Sequence, residues 1–203
     1  MNIAVQTYSG CIQCRPDTSW EREDKDLYAP DFVDGYLFSP VLFARICKAG
    51  KCIGRKFAGR YYDAINYGIL LYAVLHSRND GREMSDLPSA RADDICHIMD
   101  RTSVLPSPMY DRATLESGEN MFRLMCGTET EGIREIYATD CGSCQMIESA
   151  IEEMSGLVSL RIGDIAAVEL AQASPLISRG DCLHRRVSGT FCENALFDFN
   201  IIM

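Results

Sequence analysis

Apolar residues in this chain come in short, separated runs that have the composition of strands. Segments 3–8, 41–47, 67–75, 121–126, 133–138, 165–170 and 191–201 are rich in Val, Ile, Phe, Tyr and Leu. Such residues suit a pleated, half-buried surface, so each segment predicts a strand. Lys48, Ala49, Gly50 and Lys51 read as a hairpin tip, and 127–132 as a longer polar one. Helical spacing is confined to a few places. In 143–154, Met146, Ala150 and Met154 fall four apart with Ile147 and Ile151 beside them, while Glu148, Glu152 and Glu153 form a polar face. Asp140 or Ser143 is placed to cap that helix. A shorter helix is predicted over 55–63, with Tyr61 and Tyr62 clustered at its end. The stretch 78–119 is rich in Pro, Ser, Asp and Arg and predicts loops with one short helix over 91–98. A binding surface would most easily sit on those loops. Many strands with few helices between them predict an α+β protein rather than a doubly wound one.

Composition narrows the function classes. The 203 residues are most simply one domain, 1–203, large enough to bury a core. A net charge of −9 argues against nucleic acid as a partner, because phosphate-backbone affinity rests on Lys and Arg. Residues 1–8 carry no basic region followed by a long apolar one, so no export signal is read. The longest apolar run, 69–75, is far shorter than the roughly 20 residues of a membrane helix. The expectation is a cytoplasmic protein with no membrane partner. In that compartment the ten cysteines are expected to be free thiols serving as small, mostly buried hydrophobes.

Two pairs, Cys11/Cys14 and Cys141/Cys144, have the spacing of half a zinc site, but about 125 residues separate them. On a strand, Cys11 and Cys14 point to opposite faces, which works against a shared metal. His97 lies near Asp93, Asp94 and Asp100 in sequence, a set suited to an acid–base pair or to a solvated surface. No Gly-x-Ser-x-Gly, Gly-x-Gly-x-x-Gly or P-loop is present, so serine catalysis and nucleotide binding have no motif behind them.

Several segments, in order and at consistent spacing, resemble the fumarylacetoacetate hydrolase family. They are Arg15-Pro16-Asp17-Thr18, Ala29-Pro30-Asp31-Phe32, Arg45-Ile46-Cys47-Lys48-Ala49-Gly50-Lys51, Lys56-Phe57-Ala58-Gly59-Arg60-Tyr61-Tyr62-Asp63, Leu160-Arg161-Ile162-Gly163-Asp164 and Leu196-Phe197-Asp198-Phe199-Asn200-Ile201. The resemblance covers 11–203. It implies a mixed β-sheet rolled into a β-sandwich- or barrel-like fold with a few flanking helices, and a homodimer. Members hold a divalent cation with a Glu-x-Glu pair and the Asp of a Gly-Ile-Asp triplet, and an N-terminal His and Glu act as a base dyad.

The departures gather at the chemistry. The two glutamates fall on Ser39 and Val41, the Asp on Leu70, and a neighbouring His on Leu37. The family's Lys before Pro-Asp-Thr falls on Arg15, and the first two residues of its Arg-Asp-x-Gln on Val74 and Leu75, with the Gln on Ser77. Its substrate-facing Gly-Thr-Pro loop falls on Glu169, Leu170 and Ala171, and a further lysine on His97. The segment carrying the dyad is expected to be absent, since the chain reaches Pro16 too soon. Mg²⁺ and Mn²⁺ need several oxygen ligands, and two aliphatic side chains and one hydroxyl do not supply them. The resemblance therefore implies a member that has lost metal-dependent hydrolysis and serves as a binding or structural subunit, without a metal, with a remnant pocket suited to a small molecule. Two alternatives stand beside it. One is an active hydrolase, decarboxylase or tautomerase of a small dicarbonyl acid, with Mg²⁺ or Mn²⁺ or with substitutes among His97, Asp93, Asp94, Asp100 and Glu169. The other is a cysteine-bound zinc protein.

Overall fold

The computed structural model describes residues 2–76, 95–116, 120–128 and 132–203. The first strands are β1 (Asn2–Gln6), β2 (Ile12–Pro16), β3 (Trp20–Glu21), β4 (Leu27–Tyr28) and β5 (Val33–Ile46). Then come the helix α1 (Arg55–Ala58) and β6 (Tyr62–Leu75), followed by short strands β7 (Ile95–Cys96), β8 (Ser103–Val104) and β9 (Tyr110–Asp111). The remainder is β10 (Phe122–Thr128), β11 (Gly132–Thr139), the helix α2 (Cys144–Leu157), β12 (Ile165–Glu169), β13 (Ser174–Ser178), β14 (His184–Phe191) and β15 (Asn194–Ile202). A ten-stranded mixed sheet runs β2-β1-β12-β5-β6-β8-β3, with β13 on β5 and with β7 and β9 on β6. A five-stranded sheet runs β11-β10-β14-β15-β4. The α+β class expected from the sequence is what the chain adopts. Among the described residues, no helix is long and apolar enough to cross a membrane.

The two 14-residue strands β5 and β6 form the spine, and both of their faces are covered. That is why they read as near-continuous apolar runs rather than alternating ones. Side chains of opposite parity enter different cores. Phe38, Leu42, Ala44 and Ile46, with Ile65, Tyr67, Ile69 and Leu71, face the larger core. There they meet the second sheet and Ile147, Ala150, Ile151 and Met154 of α2. Leu37, Val41 and Phe43, with Leu70, Tyr72 and Val74, face a second, smaller core with Ile3, Val5, Ile165 and Ala167. This second face is called the inner face below.

Several expectations are corrected. Segment 191–201 is not one strand, because β14 turns into β15 at Cys192 and Glu193 with φ of 47° and 66°. Two successive left-handed residues make the tight turn whose twist matches a hairpin, and neither is the Gly or Asn that would have announced it. Lys48–Lys51 is not a simple hairpin tip: Gly50 bridges to Leu160, and α1 lies in the connection before β6. The helix over 55–63 stops at Ala58, since Tyr62 already starts β6. Of the helix over 91–98, residues 95 and 96 form a strand on β6 and 91–94 lie outside the described residues. Ser143 does occupy the N-cap of α2, but its side chain makes no capping bond. The cysteines are all free, yet only Cys126 is buried, while Cys11, Cys14, Cys52 and Cys141 are exposed. Cys14 lies on the face of β2 opposite Arg15, which turns it outward.

A strap from Thr102 to Leu105 crosses the spine. Ser103 and Val104 pair with Leu70 and Ile69, and the Trp20 indole donates to the Leu105 carbonyl at 2.7 Å. The strap passes so close to Gly68 that a Cβ there would lie 2.3 Å from the Val104 carbonyl oxygen. Because the obstacle is backbone, Gly68→Ala should push the strap off the spine. We expect a loss of about 2 kcal/mol, read as a fall of roughly 4–8 °C in melting temperature. A thermal melt matching that of the unmodified protein would show that the strap yields easily.

Candidate functional site

Register decides which of the sequence-predicted positions meet. Ser39 lies directly opposite Leu70, and Val41 opposite Gly68 on one side and Glu169 on the other. Ser39, Val41 and Leu70 point to the inner face, and each has 0% exposure. The Ser39 hydroxyl donates to the Ala171 carbonyl at 2.7 Å, and the Leu170 amide donates to the Pro40 carbonyl at 2.8 Å. The 169–171 segment is thus tied beside Ser39. Leu37, opposite Tyr72, and Val74 share the inner face. Leu75 and Leu170 do not, because each packs against the larger core.

The edge strands add the polar members. Arg15 pairs with Ile3 and Gln13 with Val5, so both side chains follow those residues onto the inner face. Arg15 is 1% exposed. Its Nη1 donates to the carbonyls of Leu71, at 3.0 Å, and Thr102, at 3.2 Å. Its guanidinium lies over the Tyr72 ring, 4.5 Å from the centroid. The Tyr72 hydroxyl donates to Glu169 Oε1 in a short bond and accepts from Gln13 Nε2 at 2.8 Å. Glu169 Oε2 accepts from the Tyr8 amide at 2.9 Å. Arg15, Tyr72, Glu169 and Gln13 therefore form one polar cluster at the margin of an otherwise apolar face.

Burial governs the titration of this cluster. Desolvation lowers the Arg15 guanidinium, with Tyr72 and Glu169 pulling it back up. Desolvation also pushes the Tyr72 phenol up to about 12, Arg15 opposing and Glu169 adding to the rise. His97, half-buried, is lowered by burial and then by the charge of Arg15, which leaves it a neutral imidazole at pH 7. Of the acids named from sequence, Glu169 joins the cluster, Asp100 is exposed on its loop, and Asp93 and Asp94, like Ser77, lie outside the described residues. Tyr72 and Gln13 were not singled out from sequence. The period of two was the available signal, since Tyr72 is two residues from Leu70 and Gln13 two from Arg15.

The donor set can be tested against a divalent cation directly. Ser39 offers one neutral oxygen already bonded to Ala171, Val41 and Leu70 offer none, and the adjacent carboxylate of Glu169 is bonded to Tyr72 and Tyr8. These residues do not fit a hard cation. Among the described residues, no three His, Cys, Asp or Glu side chains converge as a metal-ligand set, and this includes both Cys-x-x-Cys pairs.

No family model matches the chain, and no curated protein does. Solved structures do. A Yersinia pestis CO92 protein assigned to the fumarylacetoacetate hydrolase family superposes with a TM-score of 0.69 at 14% identity, over 99% of this chain and 92% of its own. Fumarylpyruvate hydrolase from Pseudomonas aeruginosa, solved with Mn²⁺ and pyruvate, gives 0.66 at 15% identity over 100% and 90%. The 5-carboxymethyl-2-hydroxymuconate delta-isomerase of Mycobacterium smegmatis gives 0.65 at 17% identity over 95% and 68%. The fold is that of the fumarylacetoacetate hydrolase family.

Proposed function

We propose that this protein keeps the frame of the fumarylacetoacetate hydrolase family without its metal-dependent C–C bond hydrolysis, and works as a small-molecule-binding or structural subunit. What supports the reading is the single register that brings Ser39, Val41 and Leu70 onto one buried face with no carboxylate among them. A cation there would have to polarise a substrate carbonyl, and nothing at those positions holds one. A homodimer in the cytoplasm is part of the proposal, to be checked by light scattering and fractionation. The deciding experiment is calorimetry with Mn²⁺ beside an assay on fumarylpyruvate. The expected result is no saturable heat and no turnover; micromolar Mn²⁺ affinity with turnover would overturn the reading.

One observation favours a second reading, an active enzyme on a small dicarbonyl acid. Glu169 sits beside Val41 with a phenol on its carboxylate and a guanidinium stacked on that phenol, which is an acid–base set. Turnover in chelator that Glu169→Gln abolishes would establish it.

A further inference from the structure

Charge is segregated along this chain. Residues 35–62 contain no acid, and three of the four lysines stand at 48, 51 and 56, in a protein of net charge −9. Backbone bonds gather that stretch at one end of the molecule. The Cys47 amide donates to the Tyr61 carbonyl at 2.8 Å, Gly50 and Leu160 exchange bonds at 3.0 and 2.9 Å, and the Cys52 amide donates to the Ser155 carbonyl at 2.8 Å. Segment 47–52 therefore lies between the end of α1 and the chain that leaves α2. Lys48, Lys51, Arg55, Lys56, Arg60 and Arg161 are all exposed there. Among the described residues, no carboxylate pairs with any of these six side chains. The neighbouring acids are engaged elsewhere. Asp63 pairs with Arg45 at 3.0 Å, Glu152 accepts from the Arg55 amide at 3.1 Å, Asp164 accepts from the Asn2 and Arg161 amides, and Glu148 lies beside Arg112 at Gly59. Three large apolar side chains stand among these cations in the open: Phe57, Leu157 and Ile162 are 44%, 66% and 72% exposed. The charges of Lys56 and Arg60 flank Phe57, 4.8 and 5.6 Å from its ring centroid.

We propose that this end of the molecule is a docking surface for an anionic phospholipid bilayer. Cations held near such a surface each add to the attraction, and apolar side chains among them enter the boundary between headgroups and acyl chains. A second copy does not fit, because two such surfaces face to face would set like charges together. Protein interfaces are depleted in lysine, whereas this surface holds most of the lysine in the chain. Leu157 and Ile162 are aliphatic and have no counterpart on a phosphate backbone. Peripheral attachment of this kind needs no spanning helix, so the short apolar runs of the chain do not oppose it. Nor does it depend on whether the inner face holds a metal.

The test is co-sedimentation of the full chain with vesicles of equal parts phosphatidylcholine and phosphatidylserine, beside vesicles of phosphatidylcholine alone. Binding is expected to the mixed vesicles only, with release as salt rises to about 0.5 M. Lys51→Glu with Lys56→Glu should lose about thirtyfold or more, since each cation near an anionic bilayer is worth about a factor of five. Ile162→Ser should lose about tenfold, the apolar contact being withdrawn. Equal sedimentation with phosphatidylcholine alone, none with the mixed vesicles at low salt, or an unchanged affinity in the lysine variant would overturn the proposal. So would full affinity in Ile162→Ser with equally tight binding to soluble polyglutamate, which would assign the surface to an acidic protein partner. Both variants alter exposed side chains; if either fails to fold, the lipid and salt comparisons on the unmodified chain decide.

Discussion

The combined variant Ser39→Glu, Val41→Glu, Leu70→Asp is expected to fold only with a divalent cation. All three positions are fully buried on one face, and Ser39 faces Leu70 across the β5–β6 ladder. An isolated buried carboxylate costs several kcal/mol, so three of them are comparable with the 5–15 kcal/mol by which a typical domain is stable. In chelator the variant should be unfolded or molten by near-ultraviolet circular dichroism. Mn²⁺ binds only the folded state, and at about a thousand times its dissociation constant contributes roughly 4 kcal/mol. Several millimolar Mn²⁺ should then restore a cooperative melt whose midpoint rises with concentration. Hydrolysis of fumarylpyruvate is not expected to return, because no base that activates water is added by the three changes. A variant that folds equally well in chelator and in Mn²⁺ would show that the three side chains do not converge.

Raising the pH from 9 to 11 should remove much of the stability of the unmodified protein. Burial pushes the Tyr36 and Tyr72 phenols up to about 12, and holds Tyr62 and Tyr67 higher still, with Cys144 and Tyr137 the next contributors at those two. In the unfolded chain a phenol ionises near 10. Between 10 and 12 the unfolded state therefore binds fewer protons than the native one, and stability falls as pH rises; below pH 10 both states are protonated and the contribution is intact. Each phenol that stays neutral costs about 1.4 kcal/mol at pH 11, so four of them amount to roughly 3–5 kcal/mol after allowance for partial solvent access. Tyr67 stacks on Phe122 at 4.8 Å and 11° and touches Phe191 at 5.0 Å, so its ionisation would place charge in the centre of the larger core. Urea midpoints at pH 8, 10 and 11 are the measurement. A flat profile would mean that these rings titrate freely in the native state.

Most strand segments, α2 and the α+β class were legible in the sequence, the strands from runs of β-branched and aromatic residues and α2 from its 3.6-residue period. The sequence also showed that Ser39, Val41 and Leu70 carry no carboxylate. Register was not legible. A shift of one residue between β5 and β6 would turn Ser39 toward the larger core and leave the local pattern unchanged, because both faces of these strands are apolar. The polar cluster was hidden for the same reason. Arg15, Tyr72 and Glu169 are at least 57 residues apart along the chain and come from different strands, joined only by the order β2-β1-β12-β5-β6. The resemblance put Arg15 at the position of the family's lysine, and pairing with Ile3 is what buries it. Local sequence thus determined most of the elements that form and which side chains stand at the positions of the site. Tertiary pairing decided which side chains face one another, since contacts between distant strands carry no trace in local periodicity.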